Sequence, residues 1–185
     1  MAFRQLPTAS RRIGFEIQPP SEVEVSPGVS ARGDQLVTCR ERRDGKTIGE
    51  LEVRVFHAAL VIDRDGILEE KVQEAIDEAA EPGARVLPAI PFALPGASGY
   101  RADLEVVRPM GTARPPLPYV YVFAMAPNDL ALDGGIIVTV RCASPDWQAG
   151  QLILQSLRIL SKRGVIAAND DVDDAPMLPM IGRRD

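Results

Sequence analysis

A series of strand-like runs joined by short turns constrains the fold of this chain more than any other feature. Leu36 to Arg42 and Ile48 to His57 flank an Asp44-Gly45 pair, which is a strong hairpin signal between two such runs. In the second run, apolar and charged residues alternate, as in a strand with one face in the core. Further strands are predicted at Gly99 to Val107, Tyr119 to Ala126 and 135–142. Consecutive strands joined by short turns predict an antiparallel sheet.

Two helices are predicted beside these strands. From Ile67 to Ala80, apolar residues recur at helical spacing and form one stripe, at Leu68, Val72, Ala75, Ile76 and Ala79. The second helix is predicted from Pro145 to Ser161, with Ser144 as its N-cap and Trp147 in the core. Such helices must pack on the sheet, so the expected class is α+β: an antiparallel β-sheet sandwiched by helices, αβα-like.

The chain of 185 residues is long enough for one domain with extensions. Residues 1–12 are polar and basic and are predicted to form a flexible N-terminal arm. Residues 13–164 hold the periodic runs and are predicted to form a single α+β domain. Residues 165–185 are an acidic, Pro- and Met-containing tail without periodicity, which we expect to be extended or disordered.

The charge balance argues against two classes of partner. The net charge of −5 is unfavourable for binding nucleic acid or anionic lipid, because both require a basic surface. No run approaches the roughly 18 apolar residues of a membrane span, and the N-terminus has no apolar signal segment. We therefore expect a cytoplasmic protein that does not insert into membranes. In that compartment, Cys39 and Cys142 are expected to be reduced, partly buried thiols.

Few residues are suited to catalysis. His57 is the single histidine, at the end of an amphipathic strand, where a structural role is commoner than that of a base. One His and two distant Cys do not make a zinc site. The acidic run from Asn169 to Asp174 lacks the Gly and the distal Glu of a calcium-binding loop. The sequence therefore predicts a protein that is not an enzyme and that has no metal and no cofactor.

Short motifs resemble those of a known family. Gly14 to Ile17 in the opening strand, and Asp146-Trp147 with Ser156-Leu157-Arg158 in the last helix, resemble the PsbP-like superfamily. Leu94 to Arg101, at the start of a strand, looks like a corresponding segment. This superfamily includes a photosystem extrinsic protein, a Ran-binding import factor and bacterial proteins of the LpqN and DcrB types. The resemblance covers roughly residues 13–161. It implies an αβα-like sandwich that binds proteins rather than catalysing a reaction.

Three surfaces are candidates for partner binding, and each has a plainer alternative. The proline-rich loop at 108–118 carries Arg108, Met110 and Arg114, and it is either a recognition loop or a plain connector. The tail carries Met177, Leu178, Met180 and Ile181, and it either docks in a partner's groove or folds back on its own sheet. The acidic face of the first helix either binds a basic partner or is simply solvated.

The expected function is that of a non-catalytic protein-binding adaptor, chaperone or assembly factor of bacterial type. The partner would be another protein, whose identity the sequence leaves open together with the oligomeric state. Two alternatives stay open: a structural subunit of a large protein assembly, and a small-ligand binder or enzyme.

Overall fold

The computed structural model describes residues 1–6, 13–30, 35–61, 63–80, 84–106, 117–128 and 132–161. Within these ranges, the helices are α1 (Arg64–Ala79) and α2 (Gln148–Ser156). The described strands are β1 (Phe3–Gln5), β2 (Ile13–Ile17), β3 (Val23–Val29), β4 (Gln35–Arg43), β5 (Lys46–Val61), β6 (Ala84–Val86), β7 (Ile90–Leu94), β8 (Ala97–Val106), β9 (Tyr119–Pro127), β10 (Leu132–Cys142) and β11 (Arg158–Ser161). A mostly antiparallel β structure with two helices confirms the predicted α+β class.

Eight of the described strands form one antiparallel sheet, in the order β3-β4-β5-β10-β9-β8-β6, with β7 also pairing with β8. The predicted hairpin between β4 and β5 is confirmed. Its turn places Asp44 and Gly45 at φ values of 52° and 75°, in the left-handed region that an Asp-Gly pair tolerates. A smaller sheet of three described strands has the order β1-β2-β11.

Prolines lie on both edges of the large sheet. Pro27 is in β3, and Pro91 is in β7. The edge is also interrupted, since β6 ends at Val86 and β7 begins at Ile90, with Pro88 in the gap. Because proline has no N–H to donate, these edges are poorly suited to pairing with another strand.

The two helices contact different core clusters, and β10 separates them. Ile137 belongs to the cluster with α1, whereas the adjacent Val138 belongs to the cluster with α2, β2 and β11. Successive strand residues point to opposite faces, so we call these the α1 face and the α2 face. All five stripe residues predicted for α1 are buried against the sheet.

The elements that cover the large sheet lie over different strands on its two faces. On the α1 face, α1 packs on β8, β9 and β10. On the α2 face, α2 and β2 pack on β5, and β2 also contacts β10. Among the described residues, the α1 face is therefore left open over β3, β4 and the first half of β5, and the α2 face is left open towards β6, β7 and β8. Charged side chains remain partly exposed in both uncovered halves, as for Glu50 (21%) and Arg101 (32%).

The start of α1 is fixed by two polar side chains. Asp63 accepts a hydrogen bond from the Gly66 N–H at 3.0 Å, which caps the helix. Arg64 donates to the carbonyl oxygens of Ser98 and Ala126 at 2.8 and 2.9 Å. The helix consequently begins three residues before the predicted Ile67, and Arg64 ties it to the start of β8 and the end of β9.

The predicted flexible N-terminal arm is wrong for Phe3–Gln5. These residues form β1, which pairs with β2, while residues 7–12 lie outside the described ranges. Phe3 packs on Phe15 with ring centroids 6.2 Å apart, and Arg4 lies 3.7 Å from Glu16. Packing against a buried neighbouring strand thus orders a segment whose own composition does not suggest a strand.

The predicted second helix is also wrong at both ends. Its N-cap is Trp147 rather than Ser144, and it ends at Ser156. Arg158–Ser161 instead form β11, which pairs with β2. At this point the chain becomes extended, and the Ser156 hydroxyl accepts a hydrogen bond from the Gln18 N–H at 2.8 Å. Pairing with β2 therefore outweighs the helical periodicity of this segment.

The ring of Trp147 anchors α2 to the sheet. Gly49 of β5 and Gly150 of α2 approach the ring so closely that a Cβ at either position would overlap it. The indole N–H donates to the buried Glu41 carboxylate at 2.7 Å, and Arg43 donates to the other oxygen at 3.2 Å. Trp147 is 7% exposed, as expected for a core residue.

We predict that Gly49→Ala destabilises the fold by about 1–3 kcal/mol, because the added methyl group overlaps the Trp147 ring. Urea unfolding monitored by circular dichroism measures this change. Gly28→Ala is the matched control, since its Cβ would meet only the flexible Leu36 side chain, at 3.1 Å. Equal loss of stability in the two variants would contradict the proposed packing of Trp147.

Candidate functional site

The residues predicted to contact a partner all lie outside the described ranges: Arg108, Met110, Arg114, Met177, Leu178, Met180 and Ile181. Their placement therefore stays a prediction. The structure does locate the base of the proline-rich loop, because it connects β8 to β9. Glu105 and Tyr119, near the two ends of this connection, are paired across these strands.

Beside this connection is a cleft of about 250 Å³, which we call the tyrosine cleft. It lies in the uncovered half of the α2 face. Its lining combines two tyrosines, two carboxylates, an arginine and apolar side chains, namely Arg85, Leu87, Asp103, Leu104, Glu105, Tyr119, Tyr121 and Pro145. This mixture suits contact with a polypeptide better than contact with a single charged group.

Arg101 is held rigidly at the side of the cleft. Its Nε and Nη2 donate to the two oxygens of Asp103 at 2.6 and 2.8 Å, which makes a bidentate ion pair. The guanidinium carbon lies 5.1 Å from the ring centroid of Tyr121 and 5.8 Å from that of Phe123. These cation–π contacts and the ion pair preorganise the side chains before any partner binds.

The neighbouring edge of the sheet presents an apolar rim on the same face, formed by Leu87 and Ile90. These residues are 43% and 54% exposed. Leu87 leaves the strand after β6, and its N–H donates to the Asp103 carbonyl at 2.9 Å. This bond fixes Leu87 at the cleft although the strand is interrupted. The rim and the cleft thus form one continuous amphipathic surface.

The phenol of Tyr121 stays neutral at physiological pH. Burial raises its pKa above the ordinary value of 10.0, and the nearby Cys142 and Asp103 raise it further, against the lowering effect of Arg101. A neutral phenol can both donate and accept a hydrogen bond. Tyr121 therefore offers a polar group beside its apolar ring, as aromatic residues at protein interfaces commonly do.

A second cleft, of about 400 Å³, lies beside the N-terminus of α2. Glu22, Glu41, Arg43, Asp146 and the edge of Trp147 contribute to its lining. Both oxygens of Glu41 already accept hydrogen bonds, from Trp147 and Arg43. The buried polar groups of this cleft therefore serve the packing of α2, and we assign it no ligand.

A third cleft, of about 380 Å³, lies beside Arg64 and the start of β8, and it is lined in part by Asp65, Phe92 and Tyr100. Burial and a hydrogen bond with Glu69 raise the pKa of Tyr100, so this phenol is also neutral. Its position next to the α1 cap gives it a structural role.

The acidic surface predicted on α1 is partly occupied by internal contacts. Glu78 pairs with the buried Arg54 of β5 at 2.8 Å, and Glu74 pairs with Lys71 at 2.8 Å. Among the described residues, no group of three or more His, Cys, Asp or Glu is arranged to hold a metal ion. His57, the only histidine, is exposed on β5.

Both thiols are free, fully buried and protonated. Cys39 and Cys142 are 0% and 1% exposed. Burial raises the pKa of Cys39 to about 12 and that of Cys142 to about 11. Because the thiolate is the reactive form, neither residue is suited to be a nucleophile in the folded state.

Comparison of this chain with known proteins identifies no relative. The chain matches no family model, and no curated protein or solved structure matches it significantly. In the part of the chain that the structure describes, no helix combines the length and the apolar character needed to cross a bilayer.

The tyrosine cleft was not anticipated from the sequence. One signal for it was available, because Arg101, Asp103 and Glu105 alternate with apolar residues and so mark a polar strand face. That pattern does not reveal that Tyr119 and Tyr121 on β9 would lie next to this face, since the register between the strands is a tertiary property.

We predict that stability falls as the pH rises from about 9 to about 11. In the unfolded chain the two thiols ionise from pH 9.0, whereas burial keeps them neutral until their folded pKa values of about 11 and 12. Each thiol contributes a loss of up to about 1.4 kcal/mol per pH unit in this window. Urea unfolding across this pH range measures the slope. A Cys39→Ala/Cys142→Ala variant should show a shallower slope, and an unchanged slope would contradict the burial of both thiols.

Proposed function

We propose that the protein is a non-catalytic protein-binding adaptor, chaperone or assembly factor that holds a segment of another protein in the tyrosine cleft. The observation that carries this proposal is the aromatic and arginine-rich surface left uncovered on the α2 face. Tyr, Trp and Arg are the residues most enriched at the energetic centres of protein interfaces. Here Tyr119, Tyr121 and Arg101 occur together beside an exposed apolar rim.

The chemistry of the surface defines the segment that fits it. Leu87 and the tyrosine rings favour an apolar side chain of the partner, which they would remove from water. Arg85 and Glu105, paired across β6 and β8, offer one charge of each sign at the margin. The best occupant is therefore an extended segment with an apolar anchor flanked by polar residues.

The segment is expected to bind through its side chains. Pro88 and Pro91 interrupt the adjacent edge of the sheet, which limits the backbone hydrogen bonding that strand addition requires. Specificity is therefore expected to come from the cleft and the rim rather than from the strand edge.

We also propose the finer fold assignment, a PsbP-like sandwich. It is supported by α1 and α2 packing against opposite sides of one antiparallel sheet. The expected cytoplasmic location and the absence of nucleic acid among the partners are retained as proposals, supported by the net charge of −5.

We predict that Leu87→Glu weakens partner capture about tenfold, because a loss of about 1.4 kcal/mol is typical of a disturbed interface anchor. The experiment is quantitative affinity capture from the native host, followed by titration of the captured protein against the purified chain. Leu152→Glu makes the same apolar-to-acidic change at a 51% exposed position on α2 and should leave capture unchanged. A truncation lacking residues 169–185 tests the tail separately.

Two outcomes would overturn the cleft proposal. One is equal capture by wild type, Leu87→Glu and Leu152→Glu, which would place the binding surface elsewhere. The other is the recovery of no partner except further copies of the chain, which would favour a structural subunit. Loss of capture only in the truncation would assign binding to the tail.

A further inference from the structure

The small sheet covers only part of the α2 face. Its strand β1 reaches β4, where the side chain of Gln5 donates to that of Gln35. Its middle strand β2 lies over β5 and β10, and β11 lies over β9. Beyond β9, the large sheet continues with β8 and then with β6 and β7. The described elements leave the α2 face of these last strands open.

Two apolar side chains of β7, Phe92 and Leu94, lie on this open area, and we call them the ledge. Phe92 points to the α2 face, because its ring meets that of Phe123 edge-on with centroids 4.9 Å apart. Phe92 and Leu94 are both half-buried, and Ile90 of the apolar rim precedes them on the same face. Apolar residues at three alternate positions of a strand are typical of a face that another layer covers.

β11 is the outer strand of the small sheet on the side of the ledge. Among the described strands, it pairs with β2 alone. Arg158–Ser161 contain no proline, so this edge can accept the backbone hydrogen bonds of a further strand. Ile159 lies opposite Phe15, which is in the core, and therefore faces the large sheet.

The space beside β11 fits one extended segment rather than a folded domain. Strands of a sheet are about 4.8 Å apart, so β8 and β7 project about 10 Å beyond β9. A strand added to β11 would lie over β8, in the layer that the small sheet already occupies, with its inward side chains on the ledge. A second copy joined through its own β11 would instead bring its large sheet against the projecting strands.

We propose that the occupant is a segment of this chain, Val165-Ile166-Ala167-Ala168, which adds an antiparallel strand to β11. The described part of the chain ends at Ser161, the last residue of β11, beside the open area. Lys162-Arg163-Gly164 then connect β11 to the segment. A three-residue connection that ends in glycine is a common hairpin loop, because glycine tolerates the left-handed conformation of its last position. The segment can therefore reach the ledge directly.

The length of this connection sets the register of the added strand. Leu160 then pairs with Ile166, and Ile159 pairs with Ala167. Because side chains paired across strands share a face, Ala167 points towards the large sheet, and so does Val165 two residues before it. These two side chains cover the ledge. Ile166 lies on the outer face beside Leu160, which is half-buried.

The added strand also directs the residues that follow it. Ser161 pairs with Ile13, which lies beside Gly134 near the start of β10. The start of β8 is at the same end of the large sheet. A strand antiparallel to β11 runs from this end along β8, so it leads residues 169–185 towards the tyrosine cleft. The docking of residues 165–168 does not require that the cleft binds a partner.

The first test is the thermal stability of the purified full chain, measured by scanning calorimetry. Val165→Asp places a charge against the ledge and should lower the melting temperature by about 3–8 °C. Val172→Asp makes the same change outside the proposed strand and should leave the melting temperature unchanged. Equal melting temperatures for wild type and Val165→Asp would overturn the proposal.

A double-mutant cycle locates the contact. Leu94→Ala and Val165→Ala should lower the melting temperature by less in combination than the sum of their separate effects, because both remove the same contact. Val165→Ala combined with Val25→Ala is the control, since Val25 is a half-buried residue of β3, at the far edge of the sheet. These two changes should be additive. Additivity in both pairs would show that Val165 does not lie on the ledge.

Hydrogen exchange of the purified wild-type chain tests the added strand itself. Amides of residues 165–168 should exchange about tenfold or more slowly than those of an unstructured peptide. Val165→Asp should raise the exchange of these residues and of β11, and leave that of α1 unchanged. Exchange of residues 165–168 at the unstructured rate in wild type would overturn the proposal. So would protection that rises with protein concentration, because a second copy would then cover the ledge. Neither result depends on the capture of a partner.

Discussion

The arrangement of the α2 face depends on one aromatic ring held between two glycines. Trp147 fits between Gly49 of the sheet and Gly150 of its own helix, and its N–H binds a carboxylate buried beneath it. This contact brings α2 down on β5, and the end of α2 then leads directly into β11. This contact thus fixes α2 and β11 over one half of the face, while Tyr119 and Tyr121 in the other half stay partly exposed.

The features that the sequence predicted correctly are local ones. Asp44-Gly45 specifies its hairpin through its own backbone preferences, and the α1 stripe follows from helical spacing alone. The errors occur where pairing with a distant strand determines the conformation of a segment. Residues 158–161 continue a helical pattern but pair with β2, and Phe3–Gln5 are extended because β2 is beside them. Tertiary pairing overrides weak local propensity in both segments.

Charged surfaces of the large sheet are assembled from distant parts of the sequence. The cross-strand pair of Glu50 and Arg141 needs β5 beside β10, strands that are separated by α1 and four other strands. Alternation shows that Glu50 and Arg141 face away from a core, but it does not show that they are neighbours. The same limit applies to Arg101 and Tyr121. Strand order and register therefore determine which side chains of different strands become neighbours, and the periodicity of the sequence does not reveal them.

The offset covering of the sheet has a consequence for valency. The uncovered halves lie on opposite faces and towards opposite edges, so occupation of one leaves the other accessible. A segment held in the tyrosine cleft would therefore not compete with a ligand on the open part of the α1 face. A chain built in this way could hold two ligands at once, with a gain in avidity only where both belong to one target at matching separation.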